Sequence, residues 1–135
     1  MAQVRNIVDA DDIRSGYNST VATLAAARVV VLTASGDREI KLPAASTEDV
    51  VGVTMAAIAV SEWGDVQIRG VAPCTAAAAI TVGDRLMMDT AGKVLTWTAS
   101  TGVNAAVVGK ALTAASADGD LVEVELAGPG VVRQG

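Results

Sequence analysis

Val107-Val108-Gly109-Lys110-Ala111-Leu112-Thr113-Ala114-Ala115-Ser116-Ala117-Asp118-Gly119-Asp120-Leu121-Val122-Glu123-Val124-Glu125-Leu126 reads as a strand, a Gly-Asp turn and a second strand. In the second strand Val122, Val124 and Leu126 fall on one face, Glu123 and Glu125 on the other. A period of two is the mark of a half-buried antiparallel strand. Asp118-Gly119-Asp120 supplies turn residues that tolerate positive φ.

The same design occurs upstream. Val50-Val51-Gly52-Val53-Thr54-Met55-Ala56-Ala57 precedes a turn at Glu62-Trp63-Gly64-Asp65, and Val66-Gln67-Ile68-Arg69-Gly70 then alternates. Gly52 and Gly109 stand 57 positions apart (109 − 52), as do Arg28 and Arg85 (85 − 28). Val29 to Gly36 lies against Leu86 to Gly92, and Glu39-Ile40-Lys41-Leu42 against Lys93-Val94-Leu95-Thr96. The chain therefore carries an internal duplication, roughly 28–72 and 85–129, with two hairpins to each unit. Two copies are too few for a solenoid, so one closed core built from both halves is expected. The fold class is mostly β, a small barrel or sandwich of two duplicated hairpin units.

A chain of 135 residues makes one domain that needs no staples. Half of it is hydrophobic, but much of that is alanine, and there is no Phe. Val, Ile, Leu and Met must fill the interior. Cys74 is alone, which excludes an intramolecular disulfide, and with no His to activate it a small buried hydrophobe is expected. The formal charge of −5, with scattered Lys and Arg, argues against nucleic acid. No apolar run is long enough for a membrane span, and the N-terminus lacks the apolar core of a signal peptide.

Residues 1–20 differ from the rest. They carry Arg5, Asp9, Asp11, Asp12 and Arg14, and Val4, Ile7, Val8 and Ile13 form no single strong face. They read as an extended arm that orders against a partner, anchored by Tyr17. The β domain is expected at 21–127 and a tail at 128–135. Within the domain, Val29 to Thr33 is a buried strand ended by a turn, and Pro43 stops the next one. Ser46 and Asp49 suggest one helical turn. Val50 to Val60 is the long strand of the first half. Thr75 to Ile80 reads as a linker, and Ala99 to Ala105 as a polar loop.

Catalytic and metal signatures fail one by one. Without His the usual Ser–His and Cys–His pairs cannot be built, and the commonest zinc ligand is missing. Gly102 to Lys110 has the wrong spacing for a phosphate loop, and Ala111 replaces its magnesium-holding hydroxyl. Asp9-Ala10-Asp11-Asp12 lacks the glycine and distal Glu of a calcium loop. Asn18-Ser19-Thr20 is a chance glycosylation sequon. Such a protein works by its surfaces. Trp63, at a turn, is expected to be exposed; Trp97 either anchors an interface or plugs the core. The candidate interface residues are Val4, Ile7, Ile13, Tyr17, Trp63 and Trp97.

The order of motifs resembles a known family. It runs from a Val-Val-Val-Leu strand through Val-Val-Gly-Val, Gly-Asp-Val-x-Ile-x-Gly-Val, Ile-x-x-Gly-Asp-x-Leu, Gly-Lys-Val and Val-Val-Gly-x-Ala-Leu to Gly-Asp-Leu-Val-x-Val-x-Leu. This resembles the capsid cement (head decoration) proteins of tailed bacteriophages, over about Val21 to Leu126. Ala26-Ala27-Arg28 departs from the family, which tends to have Gly-Asp before the first buried strand. The resemblance implies a structural protein of the virion, not an enzyme. It would be assembled in the host cytoplasm and sit on the outer capsid surface, commonly as a homotrimer, with the major capsid protein as partner. No cofactor, metal, nucleic acid, membrane or small-molecule substrate is implied. Two other readings remain open: a carrier domain of biotinyl or lipoyl type modified at Lys93, and a glycan-binding fibre domain using Trp63 or Trp97.

Overall fold

The computed structural model describes residues 13–98, 104–128 and 132–134. They form β1 (Ile13–Asn18), β2 (Val29–Leu32), β3 (Glu39–Lys41), β4 (Gly52–Thr54), β5 (Trp63–Gln67) and β6 (Val71–Thr75). Then come β7 (Arg85–Met88), β8 (Val94–Thr96), β9 (Asn104–Ala106), β10 (Gly109–Ala111), β11 (Leu121–Leu126) and β12 (Val132–Gln134). No helix occurs among the described residues. The mostly-β expectation therefore holds.

The first five strands close into a barrel in the order β1-β3-β2-β4-β5. The β1·β3 contact is parallel and β1·β5 antiparallel, which joins the two ends. A second sheet runs β6-β11-β10-β7-β8. Its end strands touch through a single parallel bridge, Ala76 to Val94. The two sheets repeat each other pair by pair. Ile13 opposite Gln67 is matched by Val71 opposite Glu125. Val30 opposite Gly52 is matched by Leu86 opposite Gly109, and Leu32 opposite Ile40 by Met88 opposite Val94. Even the isolated bridges correspond, Leu24–Ile58 with Ile80–Ala115.

The duplication is thus real, and each unit is larger than the two hairpins that betrayed it. A fifth strand, β1 or β6, precedes them. Ile13–Asn18, inside the expected arm, is part of the first barrel, while residues 1–12 lie outside the described residues. Val71–Thr75 opens the second sheet instead of leaving the first. Pro73 is tolerated there because β6 ends its sheet. The structural partner of Arg28 is Asp84, not Arg85: Thr54 N donates to Arg28 O as Ala111 N donates to Asp84 O.

That match explains the family departure at Ala26-Ala27-Arg28. Ala27 corresponds to Gly83, and their N–H groups bond the equivalent carbonyls of Thr54 and Ala111. Both residues are left-handed, φ 58° at Ala27 and 92° at Gly83. The turn is kept, at a cost of about 1 kcal/mol for the Cβ of Ala27.

Other expectations give way to tertiary structure. The long strand at Val50 to Val60 is only Gly52–Thr54, because Met55 and Ala56 turn the chain. Ser46–Asp49 forms a turn, not a helical one, whose Glu48 carboxylate accepts from the N–H groups of Ala44 and Ala45. Asn104–Ala106 and Val132–Gln134, read as loop and tail, pair antiparallel as β9 and β12.

Two apolar clusters hold the fold. Leu24, Val30, Ile40, Ile58 and Val66 pack together within the first barrel. The larger cluster joins Val29, Val31, Val50 and Val53 of the first unit to Leu86, Met88, Val94, Val122 and Val124 of the second. In β2, then, Val30 packs into its own barrel while Val29 and Val31 pack across the seam. Burial on both faces is why this strand is continuously apolar. Each such valine is worth roughly 1.5–3 kcal/mol of removal from water, so the two units behave as one folded body.

Candidate interaction surface

At the end of β1, Tyr17 lies opposite Trp63, the first residue of β5. Their ring centroids are 5.2 Å apart at an interplanar angle of 54°. Such tilted pairs add to simple area burial and hold each other's rotamers. Trp63 is nonetheless 58% exposed, and Val60 and Val21, in the adjoining loops, are exposed too.

The patch stands on a rigid base. Asn18, fully buried, donates its amide to the carbonyls of Ala22 and Ile58, both at 2.9 Å. Its Oδ1 accepts from the N–H and hydroxyl of Thr20. Its backbone pairs with Glu62 O and Ser61 N. One satisfied side chain thus ties the loop before β2 to the loop before β5. The sequon at Asn18 is sterically useless, because the amide that glycosylation needs is buried and bonded.

Of the six residues singled out from the sequence, Tyr17 and Trp63 are brought together. Ile13, half-buried, lies at the other end of β1, roughly 13 Å from Tyr17 at strand spacing. Trp97 is half-buried just beyond β8, its backbone N–H on Arg85 O at 2.7 Å. Val4 and Ile7 lie outside the described residues. Lys93 does occupy a hairpin turn, but its Nζ is bonded to Asp118 Oδ1 at 2.8 Å and its side chain is three-quarters covered. It clamps two hairpins together where a carrier lysine would project.

Two concave features escaped the sequence reading. An open groove of about 820 Å³ carries Arg69, Arg85 and Lys110 alongside Asp84 and Glu125, so both signs of charge meet there. A smaller cleft of about 350 Å³ at the first barrel is lined by Arg14, Arg38 and Arg69 over Leu32, Ile40 and Ile68, with no carboxylate among the described residues. No signal in the sequence joins those arginines, because only the closure of the barrel brings them together.

Chemically reactive groups are sparse. Among the described residues no cluster of three or more His, Cys, Asp or Glu could hold a metal. Burial pushes the Cys74 thiol up to about 12, and the residue is fully buried. A thiolate is therefore scarce at neutral pH and out of reach. An aromatic disulfide reagent should leave the native protein untouched and label one thiol per chain in denaturant; rapid native labelling would contradict the packing of β6.

Comparison with known proteins places this surface in context. A family model described as phage cement protein matches residues 10–126. No curated protein matches the chain. Among solved structures, the head fiber gp8.5 N base in bacteriophage phi29 is similar, with a TM-score of 0.62 and 22% sequence identity. The alignment covers 85% of this chain and 94% of that one, so the likeness takes in both units of the fold.

Proposed function

The chain belongs to the phage cement protein family, and from that premise we propose that it binds the outer surface of a phage head and stabilises the mature shell. A structural role in the phage capsid accords with the family match and with the fold shared with a head fiber base. The observation that carries the finer reading is the exposed Trp63 held against half-buried Tyr17 on its Asn18-braced base. An exposed Trp whose rotamer is held by a neighbouring ring on a rigid barrel is what a contact hot spot requires.

The partner is the major capsid protein, and the protein binds it as a homotrimer on the assembled particle. Many modest contacts then combine through the lattice, and avidity replaces a single tight site. Binding only the expanded shell stabilises it by mass action. A net charge of −5 suits the outside of the shell better than its DNA-filled interior.

The test is sedimentation with purified empty capsids in expanded and unexpanded form. The protein should pellet with expanded capsids and raise their disruption temperature; a protein left in the supernatant ends the reading. Truncation in this assay must stop at residue 12. Removal to Thr20 would take away β1 and open the barrel, confusing a lost contact with a lost fold.

A further inference from the structure

The two units differ at one end of the sheet, and the difference has the form of a site. In the ladders, Arg14 opposite Val66 corresponds to Ala72 opposite Val124, and Leu32 opposite Ile40 to Met88 opposite Val94. In the second unit this end is sealed. Ala72 is 1% exposed and Met88 0%, and both sit in the cluster shared with Val29, Val31, Val50 and Val53 of the first unit. In the first unit the same end is open. Leu32 is 56% exposed, and the arginine-lined cleft lies beside it.

We propose that this cleft is the docking site for an acidic segment of a partner polypeptide, which sets its carboxylates on Arg38 and Arg69 and an aliphatic side chain on Leu32, Ile40 and Ile68. Charge complementarity selects that occupant. The protein as a whole is acidic, yet among the described residues no Asp or Glu lines the cleft. Arg38 and Arg69 make no ion pair among the described residues. Arginine forks bind carboxylates two bonds at a time. The buried floor of Ile40 and Ile68 favours a peptide with an apolar side chain over a bare polyanion, which the net charge of −5 would also repel. Arg38 is held at φ 57°, a left-handed conformation that glycine would adopt without strain. Only in taking the shell protein as owner of the segment does the proposal rest on the cement reading.

The probe is a labelled synthetic peptide of Asp and Glu residues around one Leu, with an Asn/Gln version as control, titrated into the intact protein. The acidic peptide should bind, and more weakly as salt rises. Arg38→Gly and Arg69→Gln should each lower affinity about threefold to fivefold. Arg38→Gly should do so while leaving the melting temperature unchanged or higher, which separates lost recognition from lost folding. Equal binding of the amide control, or an unchanged affinity in Arg38→Gly, overturns the proposal. Failure of the intact chain to bind also overturns it. Sedimentation with expanded capsids keeps the two readings apart. If the wild type pellets and the Arg38→Gly/Arg69→Gln double variant pellets equally, the cleft proposal fails and the cement reading stands. If the wild type stays in the supernatant, the cement reading fails and the titration still decides the cleft.

Discussion

Gly109→Ala is expected to cost the protein about 3 kcal/mol or more, enough to unfold much of the population of a small domain near body temperature. A Cβ at this position would drive into the carbonyl oxygen of Glu125 on β11 and lie 2.8 Å from Val124 Cγ1. Neither neighbour can yield. The carbonyl belongs to a ladder strand, and Val124 is fully buried in the seam cluster. The first unit contains the same approach: a Cβ on Gly52 would meet the carbonyl of Gln67 and lie 2.8 Å from Val66 Cγ1. Gly52→Ala should therefore be about as damaging. Gly119→Ala is the matched control. Its φ is 94° but nothing lies within 4 Å, so only the conformational cost of about 1 kcal/mol remains. Urea denaturation of the three variants measures this. Because one cluster spans both units, each core variant should shift a single cooperative transition. A Gly109→Ala protein no less stable than Gly119→Ala would mean that β10 and β11 do not approach as described.

The contrast between these glycines shows what could be read from the sequence and what could not. Alternation exposed β11 plainly: Val122 and Val124 are buried, Glu123 and Glu125 face solvent. The spacing of Gly52 and Gly109 was legible because a close backbone approach admits no side chain, so both copies keep the same residue. β1 was illegible for the opposite reason. Ile13-Arg14-Ser15-Gly16-Tyr17-Asn18 looks polar, since Arg14 and Ser15 face water and Gly16 is small only because Ile40 fills the space over it. β6 was hidden by Pro73 and by Ala72 and Cys74, which pack against a neighbour instead of alternating with charge. The arginine cleft was beyond reach altogether. Arg14, Arg38 and Arg69 come from far apart in the chain, and only the β1·β3 and β1·β5 pairings assemble them. Trp63 is exposed, but nothing in the sequence pairs it with Tyr17, which lies in a strand that looks polar; only the β1·β5 pairing sets the two rings together.

That pair carries the second large effect. Trp63→Ala should lower stability by no more than about 1–2 kcal/mol, the loss of the ring pair with Tyr17 and of the buried part of the indole, because Trp63 is 58% exposed and outside both core clusters. The same variant should weaken binding to expanded capsids about tenfold or more per subunit, as removal of a central aromatic anchor does. In the proposed trimer the loss multiplies, so pelleting should fall away over a narrow range of protein concentration. The duplicated fold provides its own control. Leu121 takes the place of Trp63 in the second unit, opposite Thr75 as Trp63 is opposite Tyr17, and is 63% exposed. Leu121→Ala removes comparable exposed apolar surface without an aromatic pair, and should bind nearly as the wild type does. Trp63→Phe, which keeps a ring against Tyr17, should retain part of the affinity. If Trp63→Ala pellets like the wild type while Leu121→Ala does not, the contact face belongs to the second unit, and the aromatic pair is merely a strand-end clasp.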